Sequence, residues 1–223
     1  MQQSRWERLA PLTGVIAVAI IIAVFSIGES TPDEHDSASK VWAFYSKHHD
    51  KHMVLAFILA IAIPFLVFFA STLRHELRRA GGTAQLANAA LAGGAVAAGG
   101  FALLATVHLA LASAGEKVAT QGTVQALNVL DNNDFIPAAA GVGVLVLAAG
   151  LSAVRHGGLP RWLGSLGIVF GIATFTPAGF IAFLASGVWI IVASILLTLA
   201  RHSAPAAPAP AAPGAAGGDP VVT

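Results

Sequence analysis

From Trp162 to Ala200 the chain runs 39 residues without an aspartate, glutamate, lysine or arginine. Such a run is too apolar for solvent and too long for one membrane crossing, which takes about 20 residues. Inside a bilayer no water satisfies backbone N–H and C=O groups, so a chain of this kind must cross as helices or as a closed barrel. No alternating pattern suggests strands, and the reading is all-α. Four further apolar stretches precede this one. They account for a chain that is only 10% charged, against about 25% in soluble domains.

The spans predicted are about 11–28, 53–73, 86–112, 135–154, 162–176 and 180–200. The last two come from dividing the 39-residue run at Thr176-Pro177-Ala178-Gly179, a turn sequence. The fold class expected is a polytopic membrane helix bundle of six transmembrane helices, in one domain over residues 1–202. Residues 203–223, rich in Ala, Pro and Gly, cannot bury enough surface to order themselves and read as a disordered tail. An alternative for the first span is a cleaved signal peptide, with Met1–Arg8 as its basic region and Ser26-Ile27-Gly28 as its cleavage site.

Charge divides along the same map. All eight arginines (Arg5, Arg8, Arg74, Arg78, Arg79, Arg155, Arg161, Arg201) fall on one side, with Glu7, Glu76 and Asp219, leaving +5. The four lysines (Lys40, Lys47, Lys51, Lys117) fall on the other, among eight acids, leaving −4. Cations in short loops stay cytoplasmic. The expected location is therefore the cytoplasmic membrane, with both termini inside. No basic tract is interleaved with aromatics, which excludes nucleic acid as a partner. The chain has no cysteine, which removes disulfides and thiolate chemistry.

Two connections on the lysine side read as amphipathic helices. Thr31-Pro32-Asp33-Glu34 resembles a capping box with proline at the first helical position. It predicts a helix over residues 32–50 that bends into the second span. Val118, Val124, Leu127 and Leu130 form a second apolar stripe, opposite Gln121, Gln125 and Asn128. Asp131 to Asp134 end that segment and offer a cap for the fourth span. Ser71–His75 and Ser152–His156 are alike, each closing a span and followed by a glycine pair. A duplicated unit of outer helix, span, Arg-His turn and span would produce this; positive-inside selection alone also favours Arg and His there. Small residues let membrane helices approach. Ala89, Gly93 and Ala97, then Gly141, Gly143 and Gly150, then Gly164, Gly167 and Gly171 supply such faces. They predict a tightly packed bundle with little internal volume.

The densest chemistry is His48-His49-Asp50-Lys51-His52. His48 and His52 are four apart, share a helical face and form a candidate metal pair. Asp50, Glu116, Asp131, Asp134 or His108 are the residues that could complete it, zinc being the divalent ion such ligands suit. The alternative is an interfacial polar segment with no metal and no other cofactor. His108 is the one ionisable residue well inside a span, either an interhelical hydrogen-bonding group or part of a proton relay. No span carries Asp, Glu, Lys or Arg, which argues against ion-coupled carriers and voltage sensors. No GxSxG, HExxH or phosphate-binding glycine loop is present.

Gly158-Leu159-Pro160-Arg161-Trp162-Leu163-Gly164-Ser165-Leu166-Gly167, with Ala43-Phe44-Tyr45 and His48, resembles a turn and an outer segment of small Ala-rich six-span proteins of the DUF4386 type from high-GC bacteria. The resemblance implies location and architecture and supplies no active site. The function expected is a non-catalytic accessory or scaffold role, contacting the lipid bilayer and a membrane protein partner or a second copy. The alternatives are a transporter or binder of a small apolar molecule, and an outer-face metal sensor or enzyme using His48 and His52.

Overall fold

The computed structural model describes residues 9–28, 30–116 and 120–203. Met1–Arg8, Glu29, Lys117 to Ala119 and the expected tail from Ala204 onward lie outside them. The described residues are helical, with no strand among them. A 3-10 turn, Ala10–Leu12, leads into α1 (Thr13–Ile27). The short α2 (Ala38–Lys47) meets α3 (His49–Arg79) at a bend on His48. α4 (Ala84–Glu116), a second short helix α5 (Gln121–Asp131), and α6 (Phe135–His156) follow. α7 (Arg161–Ala173) and α8 (Gly179–Ser203) complete the bundle.

Five of these elements are long and apolar enough to cross a membrane: α1 with its leading turn, α3, α4, α6 and α8. α7 is the exception. Its 13 residues span about 20 Å, against a hydrocarbon core of about 30 Å. It starts level with the end of α6 but finishes early. Gly143 on α6 lies against Thr174 and Phe175, and Gly143 is eight residues below the start of α6, or about 12 Å. The α7–α8 turn therefore falls within the bundle. Its polar groups are satisfied locally. Thr174 Oγ1 donates to Phe170 O at 2.8 Å, and Thr176 Oγ1 to Ala173 O at 2.7 Å. Trp189 Nε1, buried in α8, donates to Leu163 O at 2.8 Å and pins α7 to α8.

The main contact is between α4 and α6. Gly93 and Gly100 face Gly141, Leu145 and Ala138 so closely that a β-carbon at Gly141 would strike the backbone nitrogen and Cα of Ala97. Backbones this close gain dispersion energy over many atom pairs, which is what holds helices together where lipid is as apolar as leucine. Buried hydroxyls add little between helices. Ser186, Ser194 and Thr198 on α8 bond back to the carbonyl four residues earlier, the usual way a hydroxyl is satisfied within one helix.

The charged residues separate to the two ends of the bundle. Arg201 pairs with Glu76 across α8 and α3, and Arg74 Nε donates to Asn88 Oδ1 at 2.8 Å across the α3–α4 turn. Gly158 lies against Ala80 and Glu76, so Arg155 and Arg161 sit at this end too. The matching Gly81 and Gly157 end α3 and α6 with φ of +89° and +88°, a conformation that glycine alone adopts without strain. The order amphipathic helix, long helix, glycine turn, return helix thus occurs twice, although α7 has only 13 residues where α4 has 33.

Four details differ from the sequence reading. The first outer helix starts at Ala38, capped by Ser37, whose Oγ accepts from Lys40 N at 3.4 Å. Residues 32–34 stay out of a helix, with a turn closed by Asp36 N on Asp33 O, because their carbonyls accept side-chain amides from α5 and its C-cap: Asn132 on Pro32, Asn128 on Asp33 and Gln125 on Glu34. Val124 is buried and Leu127 packs beside it as expected, but Asn128 is buried and Leu130 exposed, against the expected stripe. Val118 lies outside the described residues. Asp134 occupies the cap position of α6 but its side chain makes no capping bond. Finally, the bundle is not short of internal volume: it holds a cavity of about 750 Å³.

Replacing Gly141 by Leu should lower stability by about 1–3 kcal/mol or more, as overpacking does. Gly99→Ala, where a β-carbon meets nothing within 4 Å, should leave the thermal unfolding midpoint in detergent unchanged. Equal midpoints for the two variants would mean that the α4–α6 contact is not the one described.

Candidate functional site

The site lies at the end of the bundle opposite the arginines, where α2 and α5 close over α3, α4 and α6. α2 presents Val41 and Tyr45 on one face, and α5 presents Val124. These pack with Val107 and Leu111 of α4 into a small separate core. That core holds α2 across the end of the bundle and aims Tyr45, the chain's single tyrosine, at the start of α6. Two histidines fix the corner between α2 and α3. His48 donates from Nδ1 to Phe44 O at 2.9 Å, and His49 from Nδ1 to Ala112 O at 2.8 Å.

One turn into α3, His52 is 1% exposed. Its Nδ1 lies 2.6 Å from His108 Nε2 on α4. His108 Nδ1 lies 3.1 Å from Asp131 Oδ1 at the end of α5. Tyr45 donates to the other Asp131 oxygen at 3.5 Å. The side chains of His108 and Asp131 are 16% and 9% exposed. Burial, followed by the negative charge of Asp131, pushes the Tyr45 phenol well above its ordinary range. The hydroxyl thus stays protonated and remains a donor. The four groups form one chain, Tyr45 to Asp131 to His108 to His52, which joins four helices.

Beyond His52 lies the cavity. Its walls are largely apolar: Ile21 and Val24 of α1, Leu55 and Leu59 of α3, Phe101 and Leu104 of α4. Phe180, Phe183 and Leu184 of α8 close the far side. Its polar end is formed by His52, His108, Asp131, Asn132 and Asp134. Two atoms there are buried and have no hydrogen-bond partner among the described residues, His52 Nε2 and Asp134 Oδ2. Asp134 itself is 3% exposed. Ile22, Phe25, Phe180 and Leu184 both line the cavity and stand exposed on the outside of the bundle, so the cavity opens sideways between α1 and α8.

The structure thus brings together only some of the candidate residues. His48 and His52 share a face, with ring centroids 6.4 Å apart, but their Nδ1 atoms turn to different partners, Phe44 O and His108. Asp50 points fully outward. Among the described residues no group of three or more histidine or acidic side chains is arranged to hold a metal ion. His108 and Asp134 belong to the cavity. Sequence reasoning missed the pairing of His52 with His108, 56 residues apart. It also missed the role of Tyr45. The usable signal was a histidine inside an otherwise uncharged span. Comparisons with family models, with curated proteins and with solved structures find no match to this chain.

Proposed function

We propose that this is an integral membrane protein that binds a small amphipathic molecule in the cavity between α1, α3, α4, α6 and α8. One observation carries the reading: a mostly apolar space of about 750 Å³ ends on a buried histidine whose Nε2 has no partner among the described residues. Cavities of this kind, roughly 300–1,000 Å³ and apolar with a few convergent polar groups, are the usual form of ligand sites. The sideways opening between α1 and α8 favours entry from the lipid phase. With the arginine end cytoplasmic, the polar end of the site belongs to the outer leaflet.

The accessory role expected from the sequence rested on the two amphipathic helices. On α2, Val41 and Tyr45 are buried and Phe44 half-buried, leaving Trp42 exposed, and α5 exposes Val129 and Leu130. That is little surface for a partner, and the cavity is the stronger feature. The metal-site alternative has no third ligand beside His48 and His52 among the described residues.

Two measurements test the proposal. Protein in phosphatidylcholine nanodiscs should take up a fluorescent apolar probe above an empty-disc control. Leu104→Trp, which adds bulk on the cavity wall, should weaken that uptake by about tenfold. Uptake no higher than in empty discs would sink the reading. For orientation, reporters fused after Arg79 and Arg201 should read cytoplasmic, and one after Lys117 should read outside. An external signal from Arg201 would reverse the assignment of leaflets.

A further inference from the structure

Resting on that reading of the cavity, we infer that its ligand is an amphiphilic amine, an apolar chain ending in a protonated primary ammonium group. Taken with neutral imidazoles, the hydrogen-bond order sets what the polar end offers. Asp131, as a carboxylate, only accepts. It takes the Tyr45 hydroxyl on one oxygen and His108 Nδ1 on the other. With its proton on Nδ1, a neutral His108 has a bare Nε2, which must accept. The contact at 2.6 Å is then His52 Nδ1–H donating to His108 Nε2. That leaves His52 Nε2 as a lone pair at the polar end of the cavity, buried and without a partner among the described residues. Asp134 Oδ2 is a second buried acceptor on the same wall. The amide N–H groups of Asn132 are engaged on Pro32 O and Asn128 O. The unmet demand at this end is for donors.

Charge narrows the choice further. The lining contains two aspartates and, among the described residues, no lysine or arginine. An alcohol would bring one donor and no charge, and a quaternary ammonium a charge and no donor. A primary ammonium brings three N–H donors and a positive charge, and amines of this kind stay protonated at neutral pH, as lysine does with a pKa of about 10.4. The phenyl rings of Phe25, Phe101, Phe135, Phe180 and Phe183 on the walls suit a cation as well as an alkyl chain. The same end of the protein carries Asp33, Glu34, Asp36 and Asp50 in excess over Lys40, Lys47 and Lys51, a field that draws cations.

The test uses the full chain in phosphatidylcholine nanodiscs loaded with the fluorescent apolar probe, displaced by dodecylamine, dodecyltrimethylammonium or dodecanol, each corrected with empty discs. Dodecylamine should displace the probe at a concentration at least about tenfold lower than either of the others. Asp134→Asn, which keeps the shape and removes the charge, and His52→Gln should each shrink that preference. Dodecanol matching dodecylamine would overturn the need for charge, and the trimethyl compound matching it would overturn the need for donors. If the probe binds and none of the three displaces it, the amine assignment fails while the cavity remains a binding site. If the probe itself does not bind, the binding reading has failed first.

Discussion

The close contact between α4 and α6 sets the geometry on which everything else depends. Where lipid competes equally well for apolar side chains, only backbones that approach closely, or hydrogen bonds that cross, decide which helix lies beside which. Gly93, Gly100 and Gly141 let these two helices touch backbone to backbone. That contact fixes their axial register. His108 lies two turns beyond Gly100 on α4, and Asp131 just precedes α6, so the register is what brings them within 3.1 Å. The polar chain at the end opposite the arginines is thus a consequence of glycines near the middle.

The cavity follows from a second constraint, the length of α7. Had the stretch before α8 formed a helix matching α6, the α7–α8 turn would have reached the end opposite the arginines and filled the space beside α1. Instead it turns opposite Gly143, about two helical turns short. α8 therefore begins with Phe180, Phe183 and Leu184 at the depth of the cavity. Glycine faces predict that helices pack tightly where they touch. They say nothing about where a helix stops, which is why the expectation of little internal volume failed while the faces themselves were correct.

The same distinction explains what was legible in the sequence. The long apolar runs gave the helices to within a few residues, because hydropathy and the glycine and proline punctuation are local properties. Gly164, Gly167 and Gly171 were readable as a packing face, and all three are buried against α6 or α8. The capping signal at Thr31 was also local and misled. Carbonyls that a helix would have used were claimed by Asn128, Gln125 and Asn132, about 90 to 100 residues away. The candidate site divided in the same way. His108 was recognisable as a histidine inside a span, but its partners His52 and Asp131 depend on the relative heights of three helices, and no short motif encodes that. The His48–His52 spacing, the most motif-like feature, turned out to serve two separate contacts.

The distribution of unsatisfied groups gives the last step. A buried donor or acceptor left without a partner costs about 1–3 kcal/mol, and a bilayer offers no stray water to relieve it. Where α8 buries hydroxyls, it closes them onto its own backbone. Ser152 Oγ and His156 Nδ1 toward the arginine end, and Gln125 Oε1 and Asn128 Oδ1 on α5, are also unpaired among the described residues, but none of these four residues lines the cavity. His52 Nε2 and Asp134 Oδ2 are different because both belong to residues that line the cavity. A helix face serving only packing would place leucine or alanine at both positions at no cost. Holding two acceptors there, one oriented by a hydrogen-bonded chain that begins at Tyr45, costs stability in the empty protein, and a ligand that donates to both of them offsets that cost.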